Sequence, residues 1–236
     1  RLAGVSSATI VEAMPFGNFH VPPISVPGRA TPPSIGGQPP FLYAATTKYL
    51  DMLGVTLRRG RLFTDADGRG TPLVVLVNET MARELWPGES AVGKCIRVGY
   101  DPLAEPSMLA PASLPCREVV GVVRDSRARS LQASGHEAAL MQYYVPFDQV
   151  PPPPFPDAPT VSGILLRTTG AAEPMMAAVQ RWLQGTSTTP VYARVAAYQD
   201  LLDPQLRPWR LGATLFSLFG GLALAIAALS LFGIVA

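Results

Sequence analysis

The distribution of apolar positions divides the chain into two unequal parts. Residues 211–236, LGATLFSLFGGLALAIAALSLFGIVA, contain no Asp, Glu, Lys or Arg, and every charge in the chain lies before them. As a helix this stretch reaches ~39 Å at ~1.5 Å per residue, more than the ~30 Å hydrocarbon core of a bilayer. A helix on the surface of a soluble core keeps a polar stripe, and this one has none. The segment is predicted to span a membrane.

Upstream, strand and helix patterns alternate. Residues 7–13 (SATIVEA) and 41–45 read as strands. Thr46 or Thr47 then caps a short helix in which Tyr49, Leu50 and Leu53 face inward and which Gly54 ends. The continuous run LVVLV at 73–77 has the pattern of a strand buried on both faces. Asn78 caps the next helix, with Met81, Leu85 and Trp86 as its apolar stripe and Pro87-Gly88 as its stop. Strands are expected at 94–98, 117–123, 140–145 and 161–167, and a last short one, VYARV, at 191–195. Helix 171–184 carries Met175, Met176, Val179, Trp182 and Leu183 at helical spacing, a stripe expected to be core. The fold class is therefore α+β, mixed α/β lobes followed by one C-terminal transmembrane helix. Three segments are predicted: a folded domain over 1–200, a connector over 201–210 and the membrane helix over 211–236.

Proline changes the picture locally. Of the 25 prolines, 14 fall within 21–40 and 145–159, which read as extended connections rather than sheet elements. The chain opens RLAGVSSA without Met and is expected to be a piece of a longer protein, whose translocating segment lies upstream. A net charge of +2 with no basic stripe argues against nucleic acid as a partner. Cys95 and Cys116 flank an insertion between two expected strands and admit two readings. They either form a disulfide, which would place the domain in an oxidising compartment, or remain two buried thiols.

No motif for catalysis survives inspection. Gly88–Lys94 fits G-x4-G-K, but Cys95 stands where a phosphate-binding loop needs the Ser or Thr hydroxyl that holds Mg²⁺. The match also follows a helix and opens a strand, the reverse of a loop that seats phosphate at a helix N-terminus. Pro87, Gly88 and Gly93 are expected to turn the chain. His20 and His136 are far apart, and His136-Glu137 lacks the second His of a zinc-protease helix. Asp65 and Asp67 lack the remaining ligands of a calcium loop and are expected in a solvated turn. Asn78-Glu79-Thr80 matches a glycosylation sequon, but a helix cap explains Asn78 better.

The membrane segment offers a candidate binding face. Ala213, Ser217, Gly221 and Ala225 recur every four residues, a ridge of small side chains that lets another helix approach closely. Trp209 sits between Arg207 and Arg210, where an interfacial aromatic belongs. Read naively, the positive-inside rule would put these arginines in the cytoplasm, in conflict with an outward-facing domain, but two charges on one flank do not set an orientation.

Two strings, GRLFTDADGRGTPLVVLVNETMARELWPGESAVGKCIRVG and REVVGVVRDSR, resemble the extracytoplasmic domain of MacB/FtsX-type ABC transporter permeases. LFSLFGGLALAIAALSLFGIVA is similar to the second membrane helix of the same proteins. The wording is nearest to duplicated permeases that lack a fused ATPase, and the likeness runs from about Gly4 to Ala236. It implies a periplasmic domain of two lobes, one porter-like and one smaller, set between the first two membrane helices. It further implies no cofactor in this chain, ATP being bound by a cytoplasmic ATPase subunit. The other implied partners are membrane lipid, a second permease domain in a homo- or pseudo-dimer, and an adaptor or outer-membrane channel. The implied location is the bacterial inner membrane, with residues 1 to about 205 in the periplasm. The implied work is to couple ATP-driven motion of the membrane helices to export or mechanotransmission. In that family a long stalk helix precedes the second span; here Pro204 and Pro208 are expected to interrupt it, with Asp203 capping a restart. The runner-up function is a membrane-anchored sensor or interaction module with no transport role. A nucleotide-dependent enzyme built on Gly88–Lys94 stands third.

Overall fold

The structure is a computed structural model that describes residues 3–14, 16–17, 19–100, 107–127, 140–150, 163–186 and 194–235. In chain order its elements are β1 (Val5–Val11), β2 (Ile24–Ser25), β3 (Phe41–Ala45), α1 (Thr47–Met52), β4 (Leu57–Gly60) and β5 (Val74–Asn78). There follow α2 (Glu79–Leu85), β6 (Cys95–Val98), β7 (Arg117–Val123), β8 (Gln142–Pro146), β9 (Gly163–Thr168), α3 (Ala172–Thr186) and α4 (Tyr198–Val235).

The β-branched run at 74–77 becomes the interior of a seven-stranded mixed sheet ordered β2-β6-β7-β5-β8-β3. Strand β4 joins the same edge of β7 that β6 uses, beyond the end of β6, pairing at Leu57–Gly60 with Val123–Gly121. Pairing is parallel for β3 with β8 and for β5 with β7, and antiparallel elsewhere. Because side chains alternate along a strand, β5 feeds two cores. Val75 and Val77 pack with Met81, Leu85 and Trp86 of the α2 segment. Val74 and Leu76 pack on the other face with Tyr49 and Leu50 of α1 and with Val11 of β1. This double burial is why the run lacks polar alternation.

Close approach of backbones selects glycine where β4 meets β7. Gly60, at φ +77°, pairs with Gly121. A Cβ on Gly121 would come within 2.3 Å of the Arg61 carbonyl oxygen and 2.9 Å of Leu76 Cδ2.

Caps behave as the sequence predicts. Thr46 accepts from Tyr49 N at 3.0 Å and Asn78 accepts from Met81 N at 3.0 Å. Asn78 is 1 % exposed and also donates to Leu140 O, which joins α2 to β8.

The second, smaller sheet pairs β1 with β9 antiparallel, and Met175 of α3 reaches Gly4, just before β1. Here the expected core stripe of α3 needs correction. Val179 is buried, Met175, Met176 and Leu183 are half-buried, and Trp182 remains 50 % exposed. A two-stranded ribbon is too narrow to cover one whole face of the helix.

The proline-rich segment at 21–40 also departs from expectation. Ile24–Ser25 forms edge strand β2 against β6, because these two residues between Pro23 and Pro27 keep their N–H groups. Most of the second proline-rich segment, 151–159, lies outside the described residues, as do 191–193 of the expected last strand; Arg194 and Val195 are not in a strand.

Candidate functional site

The feature that joins the folded lobes to the apolar segment is α4, which runs unbroken for 38 residues, about 57 Å, from Tyr198 to Val235. The expected break at 201–210 is not there. Pro204 and Pro208 both lie inside the helix, and the helix begins at Tyr198 rather than at a cap on Asp203. Each proline removes one intrahelical N–H, leaving the carbonyls of Asp200 and Pro204 without their usual donors. Both residues are exposed, so water can serve those carbonyls.

The first turn of α4 is anchored in the lobes. Ala197 is buried, and the Tyr198 ring meets Phe16 edge-on at 6.4 Å. Tyr198 also forms one wall of an open cleft of about 340 Å³, whose opposite walls come from β3, α1, β8 and the chain after β7. Further along, Arg210 donates to Asp203 at 3.1 Å, which offsets one of the two arginines at this end of the span. Trp209, 69 % exposed, lies beside it.

Within Tyr198–Ala228 the most apolar 18-residue window of the helix has a mean hydropathy of 2.0 and none of it is buried, so the helix is long and apolar enough to cross a membrane. Ala213, Ser217, Gly221 and Ala225 fall on one exposed face of it. A Cβ added to Gly221 would meet nothing within 4 Å, so the ridge is uncovered in the single chain. The hydroxyls of Thr214 and Ser230 bond back to the carbonyls of Arg210 and Ile226, which removes free donors from the apolar stretch.

Cys95 and Cys116 are joined in a disulfide with Cα atoms 5.7 Å apart. They are diagonal rather than directly opposite, since Cys95 pairs in register with Glu118. The bond closes the insertion between β6 and β7.

Gly88 and Gly93 adopt φ values of +78° and +84° and turn the chain from α2 into β6. Lys94 pairs with Glu89, within the turn. Gly93 N donates to Val119 O at 2.9 Å, so this backbone serves the sheet.

Asp67 is not in a solvated turn. It is 8 % exposed and accepts from Arg61 at 2.6 and 2.8 Å and from Thr64 N at 2.8 Å. The Arg61 guanidinium, opposed in part by burial and aided by Thr64, holds its carboxyl down to about 2. Asp65 accepts from Thr47 Oγ1 at 3.4 Å. Among the described residues no cluster of His, Cys, Asp and Glu could hold a metal ion. His136 lies outside them.

Sequence patterns did not reveal three buried polar positions. Glu12, 3 % exposed, contacts His20 Nδ1 and accepts from Ala44 N at 3.3 Å, tying β1 to β3. Arg117, 4 % exposed, donates to Gln149 O at 2.5 Å, and burial lowers its pKa to about 10. Gln149 in turn donates to Gly68 O, Thr71 Oγ1 and Pro72 O and accepts from Val74 N. Glu12 and Arg117 sit in or beside a strand, where a polar residue normally marks the solvent face, and Gln149 ends a short 3-10 turn after β8. The one signal was Arg117 at the head of REVVGVV, which is equally the pattern of an exposed strand end.

The family model described as MacB-like periplasmic core domain matches residues 5–193. Two solved structures share the fold. The periplasmic region of MacB from Actinobacillus actinomycetemcomitans aligns at TM-score 0.50 and 16 % identity, over 78 % of this chain and 69 % of that one. The extracellular domain of the noncanonic ABC-type transporter YknZ from Gram-positive bacteria aligns at TM-score 0.52 and 19 % identity, over 80 % and 79 %. No curated protein matches the sequence.

Proposed function

The chain belongs to the MacB-like periplasmic core domain family, and from that membership we propose that it is the extracytoplasmic part of an ABC transporter permease together with one of its membrane helices. In this reading it couples ATP-driven movement of the membrane helices to the lobes outside. ATP binds a separate cytoplasmic ATPase subunit, and residues 1 to about 205 lie on the extracytoplasmic side.

The observation that carries the proposal is the continuity of α4. A helix with a buried neighbour at Ala197, an aromatic contact at Tyr198 and no break before the apolar stretch transmits displacement along its axis. Backbone hydrogen bonds within a helix are stiff compared with a flexible linker, so motion in the membrane reaches the cleft at Tyr198. The small-residue ridge suits a second helix of the permease or of its dimer partner. No catalytic step is assigned to the chain.

Inserting a flexible Gly/Ser segment after Asp203 tests the coupling. Transport by the complete assembly should fall to background while the ATPase subunit still hydrolyses ATP. Unchanged transport would end the proposal.

A further inference from the structure

The open cleft of about 340 Å³ lies beside the first turn of α4. Its volume lies at the small end of the range for organic ligands. Leu53 and Val55 give it an apolar side, and the rings of Tyr144 and Tyr198 face the same space.

Its polar groups are unevenly satisfied. Tyr49 is 1 % exposed and lines the cleft, yet its hydroxyl has no hydrogen-bond partner among the described residues. The hydroxyl is not among the fully buried unpaired groups, so it opens onto the cleft and its donor is available to a guest. Arg124 also lines the cleft. Its backbone N is fixed by Thr56 O at 2.8 Å, while its guanidinium has no ion pair or hydrogen bond among the described residues.

Of the residues lining the cleft, Asp125 is the one carboxylate. Asp125 accepts from Thr80 N and Oγ1 at 2.9 and 2.8 Å and faces Arg83 at 3.7 Å, so it is engaged with α2. Glu12, which is not among the lining residues, contacts His20 and accepts from Ala44 N. Arg127 also lines the cleft and has a partner of its own.

We propose that this cleft binds a small amphiphilic anion, an aromatic or short acyl body whose carboxylate, sulfonate or phosphate meets Arg124 and the Tyr49 hydroxyl. A guest there touches Tyr198 on one side and the seven-stranded sheet on the other. It therefore bridges the membrane helix to the lobe. The binding claim stands without the transport proposal, because it is measured with no ATPase present.

The test is isothermal titration of the full chain in lipid nanodiscs with naphthalene-2-sulfonate, and with naphthalen-2-ylmethylammonium as the oppositely charged probe of similar size. Saturable one-to-one binding of the sulfonate is expected, with the cation at least about tenfold weaker. Tyr49→Phe and Arg124→Gln should each weaken the sulfonate about tenfold. Both variants should keep the parent melting temperature, since neither group bonds to another of the described residues. Arg124 is exposed, so its variant serves even if the buried Tyr49→Phe substitution disturbs folding. Heat that does not saturate, equal binding of both probes, or undiminished binding in Arg124→Gln would overturn the assignment.

Discussion

In the seven-stranded sheet Val75, Leu76 and Val77 are fully buried, whereas in the two-stranded ribbon Ile164 of β9 is 53 % exposed and Trp182 of the adjoining α3 is 50 % exposed. The sheet has packing on both faces, and its strands need nothing else to be stable. A ribbon of two strands is marginal on its own. It is secured here by a few ties to the larger body: Val11 in the second core, Arg167 donating to Met52 O at 2.9 Å, and Thr9 bonded to Thr46 at 2.6 Å. The two regions therefore differ in how they would answer a pull through α4. If α4 pulls as proposed, the sheet is expected to move as one piece and the ribbon with α3 to yield first.

That contrast can be broken or sharpened by substitution. Leu76→Ala removes a side chain shared by strand and second core and should lower stability by about 3–4 kcal/mol in denaturant unfolding of the detergent-solubilised chain. A loss below about 1 kcal/mol would mean the sheet is less tightly packed than its burial indicates. Next comes the disulfide. Replacing Cys95 and Cys116 by Ser releases the β6–β7 insertion and should cost about 3 kcal/mol, chiefly through the freedom regained by the unfolded chain. The same loss should appear when the parent protein is unfolded under reducing conditions.

A smaller effect follows from Asp67. The folded state holds its carboxyl at about 2, below the ordinary 3.8. Its contribution is therefore complete above about pH 4 and is lost as pH falls through about 2. About 1–2 kcal/mol of acid-sensitive stability is at stake, reduced by the half-exposed Arg61 partner. Asp67→Asn should flatten the stability profile between pH 4 and pH 2 and leave its shape above about pH 5 unchanged. The smallest effect belongs to the ribbon, where Ile164→Ala should stay within about 0.5 kcal/mol. A cost equal to that of Leu76→Ala would erase the distinction between the two regions.

The same division governs what was legible in the sequence. Residues 73–77 and REVVGVV could be read directly, because a strand buried on both faces leaves a continuous apolar run. The caps at Thr46 and Asn78 were legible because their side chains act on their own backbone. Strand β4 was not. LRRG carries no strand pattern and is extended only because β7 offers an edge beyond β6. The mixed strand order, the buried Arg117 and the partners of Asp67 depend likewise on which segments meet in space.

Pro204 and Pro208 show the opposite failure. The local rule predicted a break, and the helix tolerates both residues where its carbonyls face water. The cleft was invisible for the most general reason. Tyr49, Arg124, Tyr144 and Tyr198 come from four separate parts of the chain. No short window contains them.

The account turns on α4 passing from a folded lobe in water into lipid. Single cysteines introduced as Arg69→Cys on the lobe and Phe219→Cys on the helix, probed in spheroplasts with a membrane-impermeant maleimide, test this most directly. Arg69→Cys should be labelled without lysis, Phe219→Cys should resist labelling until detergent is added, and the protein should stay with the membrane in alkaline carbonate. Ready labelling of Phe219→Cys in intact spheroplasts, or release of the chain by carbonate, would contradict it.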